Sequence, residues 1–156
     1  MSSRLPDTTA RHAPENLAIL LREPFRVMTG RLLDRLQETG HGAVRGPHGL
    51  VLQYLDDAGT RASVLAERAQ ITKQSMAELI AHLERHGYVE RVPDPADGRA
   101  RLVRATDQGR AVFAIAREVV AEIDAELDAR MGADRVAQLR ALLQELGAAL
   151  EEPGSQ

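Results

Sequence analysis

Residues 60–87 read TRASVLAERAQITKQSMAELIAHLERHG and residues 88–105 read YVERVPDPADGRARLVRA, and between them the apolar repeat switches from a helical period to a period of two. In the first stretch Thr60 is placed to cap a helix carrying Val64, Leu65 and Ala69. Thr72 is placed to cap a second helix carrying Met76, Leu79, Ile80 and Leu83. Gln70 and Ile71 make the corner between the two, and Gly87 ends the second. In the second stretch residues 88–92 and 100–105 read as the strands of a β-hairpin. They are joined by a long charged loop, Pro93-Asp94-Pro95-Ala96-Asp97-Gly98-Arg99. Two short helices at a tight corner followed directly by a twisted hairpin form a winged helix-turn-helix, whose second helix can lie in a major groove of duplex DNA.

The flanks are helical. Across residues 15–39, Leu17, Leu20, Leu21, Met28, Leu32 and Leu36 form a stripe, and Pro24 within it is expected to kink the helix or end a short first piece. Gly40, His41, Gly42 and Gly46 make a loop. Pro47 then suits the first turn of a short helix carrying Leu50, Val51, Leu52 and Leu55, closed near Gly59. After the hairpin Thr106 caps a long helix bearing Val112, Phe113, Ala116, Val119, Ile123 and Leu127, which Gly132 breaks after Met131. A last helix repeats at Val136, Leu139, Leu143, Leu146 and Leu150, a spacing that suits a helix-helix seam. The expected fold class is mainly α with a small β-hairpin wing, in the order four helices, hairpin, two helices. One domain is expected over residues 15–150, with its winged helix-turn-helix at 44–106 and flexible tails at 1–14 and 151–156.

With Met76, Leu79, Ile80 and Leu83 facing inward, Gln74, Ser75, Glu78, His82 and Arg85 face outward and Lys73 flanks them. Gln74 can pair bidentately with adenine, Ser75 can bond either base type or a phosphate, and Lys73 can reach a phosphate as a point charge. The helix start at Thr72 offers free backbone N–H groups that favour phosphate. On the hairpin Arg99 suits a narrow minor groove, Asp97 is placed to hold that side chain, and Arg101 and Arg104 lie on the returning strand. Ser63, on the helix before the corner, completes the expected DNA-facing set. Any one of these residues would look the same on an ordinary solvated surface; the corner, the polar helix and the arginine-tipped hairpin in this order would not.

Leu65-Ala66-Glu67-Arg68, Ile71-Thr72-Lys73-Gln74-Ser75-Met76, Leu83 through Arg91, and Asp94 through Val103 together resemble the MarR family of bacterial transcription regulators. The Asp-x-Arg signature of that family's wing is matched by Asp97 and Arg99, and the likeness extends over residues 15–150. The resemblance implies a homodimer in which helices from 15–43 and 107–150 intertwine. Two recognition helices would then meet successive major grooves, about 34 Å apart, of a pseudo-palindromic operator. It also implies a repressor that releases DNA when a small, often aromatic or phenolic, ligand binds between the dimerisation and DNA-binding parts. At that location the chain offers Phe25, Met28, His48, Val51, Tyr54 and Phe113. Dimerisation has separate support, because the last two helices carry more apolar stripe than one small winged helix can cover. One departure is Glu78, where the family often has a basic residue. A carboxylate facing the groove repels phosphate unless it accepts from a cytosine amino group.

Other classes of function are poorly served. With no cysteine, the chain has no disulfide scaffold, thiolate zinc site or cysteine nucleophile. Two Phe and two Tyr are too few for a base-stacking platform. No Gly-rich phosphate loop or nucleophile elbow stands out, so neither an enzyme nor a cofactor is expected. Glu78, His82 and His86 are spaced to share a helical face as metal ligands, but a charged surface stripe is the simpler reading. No apolar run approaches the roughly 20 residues of a membrane span. Residues 1–14 mix Arg4, Asp7, Arg11 and His12 without an apolar segment, so no secretory signal and a cytoplasmic location are expected.

The formal net charge of −3 argues at first against a DNA binder. Its distribution answers this. Residues 1–43 carry 6 basic and 5 acidic side chains, residues 44–106 carry 9 and 8, and residues 107–156 carry 5 and 10. The acidity belongs to the last two helices. A winged-helix module that has kept the fold and become a protein-interaction domain is the alternative, with Glu78 and the acidic total as its support.

Overall fold

The computed structural model describes residues 16–151. Helix α1 (Leu17–Glu38) starts at Asn16, whose side chain accepts from the Ile19 amide at 3.1 Å, and runs unbroken through Pro24. The expected break at Pro24 does not occur. The proline withholds an N–H only from the Leu20 carbonyl, and both residues lie on the exposed side of the helix. A 3-10 turn (Gly46–His48) containing Pro47 leads into α2 (Gly49–Tyr54), then α3 (Ala62–Arg68) and α4 (Lys73–Arg85). Strands β1 (Val89–Asp94) and β2 (Asp97–Ala105) follow, then α5 (Asp107–Met131) and α6 (Ala133–Glu151). Four helices, a hairpin and two helices is the order the sequence predicts. The expected tails lie outside the described residues, save Glu151, which is the last residue of α6.

Three helices end in the same way. At the close of α1, α3 and α4 the second residue past the cap donates back five residues: His41 to Leu36, Ile71 to Ala66 and Tyr88 to Leu83. The residue before it closes the inner bond, Gly40 to Gln37, Gln70 to Glu67 and Gly87 to Glu84. Each such closure needs a left-handed residue. Gly40 and Gly87 supply it without strain, whereas at the corner between α3 and α4 it falls on Gln70, φ +52°. The corner therefore turns on a non-glycine residue at some cost.

Thr72 and Thr106 cap α4 and α5 as expected, accepting from the amides of Ser75 and Gly109. Thr60 does not cap α3. Its backbone pairs with Val103 in both directions (2.8 and 2.9 Å), its hydroxyl accepts from the Asp56 amide, and Arg61 takes the cap position instead. Thr60 thus adds a short second ladder to the base of the hairpin.

The core gathers Leu36 of α1, Val44, Val51 and Leu52 around α2, and Leu65 and Ala66 of α3. It continues through Met76, Ile80 and Leu83 of α4, Tyr88, Val89 and Val103 of the hairpin, and Val112 of α5. Every element of the winged module contributes to it, so the module is positioned as one body. Against it α1 and α5 pack side by side, bridged by Arg31 to Glu126 (2.5 Å) and Arg35 to Glu122 (2.9 Å). Along α6, by contrast, only Val136 is buried.

Candidate nucleic-acid interface

Helix α4 turns Met76, Ile80 and Leu83 into the core, with Leu79 half-buried beside them, and leaves Lys73, Gln74, Ser75 and Glu78 exposed. The Thr72 hydroxyl is committed locally: it accepts from the Ser75 amide at 3.1 Å and donates to the Ser75 hydroxyl at 2.9 Å. Thr72 therefore shapes the helix start, and Ser75 carries its polar oxygen outward. The Gln74 amide donates to the Glu78 carboxylate at 3.3 Å one turn on. Glu78 thus orients the side chain best suited to read adenine and, by occupying its N–H, limits it.

His82 departs from expectation. It is half-buried, donates from Nε2 to the Ala43 carbonyl at 2.8 Å, and stacks on buried His48. It therefore faces the body of the module and not the outward stripe. Glu78 is engaged with Gln74 and His82 with Ala43, and the described residues contain no cluster of three or more His, Cys, Asp or Glu suited to a metal.

The wing is tighter than its sequence suggests. Pro93 and Asp94 pair with Arg101 and Asp97, leaving only Pro95 and Ala96 as the turn. Proline is tolerated at such an edge because its missing N–H need not enter a ladder. The register jump leaves Gly98, Arg99 and Ala100 with no residue opposite them, so Arg99 stands on a bulge, a device that re-aims a side chain. Asp97 does act on Arg99, but through the backbone: its carboxylate accepts the Arg99 amide at 3.2 Å. Its other oxygen lies 3.6 Å from Arg61.

Charge pairing sorts the basic residues. Arg61, Arg68, Arg91 and Arg104 bridge to Asp94, Asp56, Glu84 and Glu90. Among the described residues of α4 and the wing, Lys73, Arg85, Arg99 and Arg101 have no carboxylate partner, and all four are exposed. Ser63 is likewise exposed, on α3. The sequence reading missed Arg61 and Asp94. Their only local signal is an arginine before a short helix and an aspartate before Pro95.

The six residues expected around a small ligand differ in their surroundings. His48 and Val51 are buried, Tyr54 and Phe113 pack against the core, and Phe25 and Met28 are exposed on α1. A groove between α1 and α5, walled by Pro24, Val27, Met28, Ile123 and Leu127 with Arg31 and Arg130 at its rim, takes only Met28 from the set.

Exposed polar and cationic residues on the second helix of a tight corner, with a bulged arginine on the adjoining hairpin, define a winged helix-turn-helix regulator of transcription. Residues 44–100 match the sequence model of the MarR family. The chain is 31% identical to the transcriptional regulator HosA of Escherichia coli O111:H- over 104 residues, 67% of this chain and 74% of that one. The transcriptional repressor CouR of Rhodococcus jostii RHA1, solved bound to a 23-mer DNA duplex, gives a TM-score of 0.67 at 25% identity, covering 85% of this chain and 93% of that one. PcaV of Streptomyces coelicolor, solved with its natural ligand, gives 0.64 at 25% identity over 96% and 100%. The chain belongs to the MarR family. All three relatives are regulators of transcription. No helix among the described residues is long and apolar enough to cross a membrane.

Proposed function

We propose that the protein is a homodimeric, sequence-specific repressor that binds a pseudo-palindromic operator in the cytoplasm and releases it when a small aromatic or phenolic ligand binds. One observation carries the reading. Of the exposed cations without carboxylate partners in the winged module, which also include Arg45 and Arg85, three, Lys73, Arg99 and Arg101, stand where a major groove and the neighbouring minor groove would meet α4 and the wing. The CouR complex with duplex DNA supports the same docking.

A second copy of the chain is the proposed cover for α1 and α6. Phe25 is 70% and Leu150 77% exposed, and Leu17, Leu20, Leu142 and Leu143 are open as well. Large apolar side chains left open in this number on two helices call for a cover. The effector site is proposed among Phe25, Met28, His48, Val51, Tyr54 and Phe113, a pocket completed only when the dimer covers α1. PcaV, solved with its natural ligand, supports an effector.

Mobility shift on the DNA upstream of the protein's own gene tests this. Saturable, salt-sensitive binding of one dimer per palindrome, weakened by a hydroxybenzoate or hydroxycinnamate, is expected. Failure to bind any neighbouring promoter would leave the winged helix as a protein-interaction module.

A further inference from the structure

At the tip of the wing one side chain is out of place. Pro93, Pro95, Ala96, Asp97, Gly98, Arg99 and Arg101 are exposed, yet the Asp94 carboxylate between them is only 8% exposed. A carboxylate so placed needs partners for both oxygens. One oxygen accepts the Ala96 amide at 2.9 Å across the turn. The other takes Arg61 twice, from Nε at 2.7 Å and from Nη2 at 2.5 Å. The Ala96 amide first, and Arg61 next, hold the Asp94 carboxyl below its ordinary pKa. The same Arg61 Nη2 lies 3.6 Å from Asp97, whose other oxygen accepts the Arg99 amide.

We propose that Arg61 is the positioning residue of the wing: from the cap of α3 it fixes Asp94 and Asp97, and through them the bulge from which Arg99 enters the DNA. The inference rests on the DNA-binding reading above. Its physical need is plain. A two-stranded hairpin is marginal on its own. The Thr60 to Val103 ladder secures the base of the hairpin, and the exposed tip has no apolar contact of comparable weight. The Gly98-Arg99-Ala100 bulge lacks opposing residues, so carboxylates held from α3 are what keep its direction relative to α4. Arginine suits the task because its fork donates from Nε and Nη2 in fixed relative directions, which the single ammonium of lysine does not.

Arg61 is itself a cation near the DNA, so the test must separate positioning from direct phosphate contact. Asp94→Asn leaves the Arg61 charge in place and frees it. Positioning predicts that Arg61→Met and Asp94→Asn each weaken binding to the duplex upstream of the protein's own gene about as much as Arg99→Ala, on the order of tenfold. Arg61→Met combined with Arg99→Ala is expected to weaken it no further. Amides of residues 96–101 are expected to exchange faster in DNA-free Arg61→Met while those of the core keep their protection, because Asp94, left without its partner, can regain water by local opening of the exposed tip. Arg61→Lys is expected to restore part of the affinity.

Tighter or unchanged binding by Asp94→Asn would make Arg61 a phosphate ligand and overturn the proposal, as would additive losses in the double variant. If Arg99→Ala is itself silent, the DNA-binding reading of the wing fails, and the exchange rates still decide whether Arg61 holds the tip.

Discussion

The imidazole rings of His48 and His82 stack with centroids 4.1 Å apart and planes within 13°, and His86 extends the column at a further 4.3 Å. The column joins the 3-10 turn before α2 to the recognition helix. His48 can hold its place only when neutral, because its Nδ1 accepts the Arg45 amide at 2.9 Å.

Burial, reinforced by His82, Arg45 and His86, pushes the His48 pKa down from 6.5 to about 4. The unfolded chain therefore binds a proton more readily than the native one. Above pH 6.5 both states are neutral and the full stability is present. As the pH falls from 6.5 towards 4 the unfolded state gains protons first and stability drops, by up to about 3 kcal/mol at about 1.4 kcal/mol per pH unit. Melting curves from pH 7.5 to 4.5 should show this loss. His48→Asn, which keeps an acceptor near Nδ1 and cannot titrate, should flatten it; an identical pH dependence in the variant would refute the assignment.

Gly109 lies where α5 crosses the start of the hairpin, and a Cβ there would run into the Tyr88 carbonyl oxygen, which is backbone and cannot swing away. Gly109→Ala should destabilise the protein by about 1–3 kcal/mol through overpacking, despite the better helix propensity of alanine. The urea midpoint reads it directly, and a gain in stability would mean that α5 and the hairpin move apart freely.

Gln70 should respond in the opposite sense. At φ +52° it pays for a left-handed turn that glycine adopts without strain. Gln70→Gly should stabilise by about 0.5–1 kcal/mol, and Gln70→Val should destabilise by at least as much. The pair of thermal shifts, of opposite sign, is the check.

Local features were legible in the sequence and non-local ones were not. Thr72 and Thr106 are satisfied by amides three residues on, so spacing alone identified them as caps. Thr60 looked equivalent, but its bonds go to Asp56 and to Val103 on a strand far along the chain. His82 occupies an outward helical phase by counting, yet Ala43 and His48, both distant in sequence, draw it inward. Arg61 escaped notice for the same reason, since Asp94 is 33 residues away. The polar face of α4 was readable because its neighbours along the helix decide it.

Base reading and phosphate binding should separate by mutation. Arg99→Ala should weaken binding on specific and random DNA alike and reduce the slope of log affinity against log salt by about 1 per half-site. Gln74→Ala should cost about 1–3 kcal/mol at one base pair in each half-site and leave random DNA nearly unaffected. Glu78→Gln removes the negative charge beside Gln74, so affinity for random DNA should rise. Titrations at several salt concentrations on operator and scrambled duplexes distinguish the three, and equal losses on both duplexes for Arg99→Ala and Gln74→Ala would sink the assignment of roles.

The apolar faces of α1 and α6 give the sharpest expectation about assembly. Leu20 and Leu150 are 57% and 77% exposed, near opposite ends of the described chain, and neither contributes to the core of the winged module. Leu20→Glu with Leu150→Glu should leave that core intact, because a carboxylate in water costs nothing at an open site. If a second copy covers these faces, however, each charge would be buried without a partner, and the dimer should dissociate. Sedimentation equilibrium should then report a monomer with wild-type helical content. DNA affinity should fall by about 10²–10⁴-fold, because two half-sites are no longer bound by linked modules. A variant that stays dimeric would place the interface elsewhere, and a monomer that binds the operator undiminished would remove the need for one.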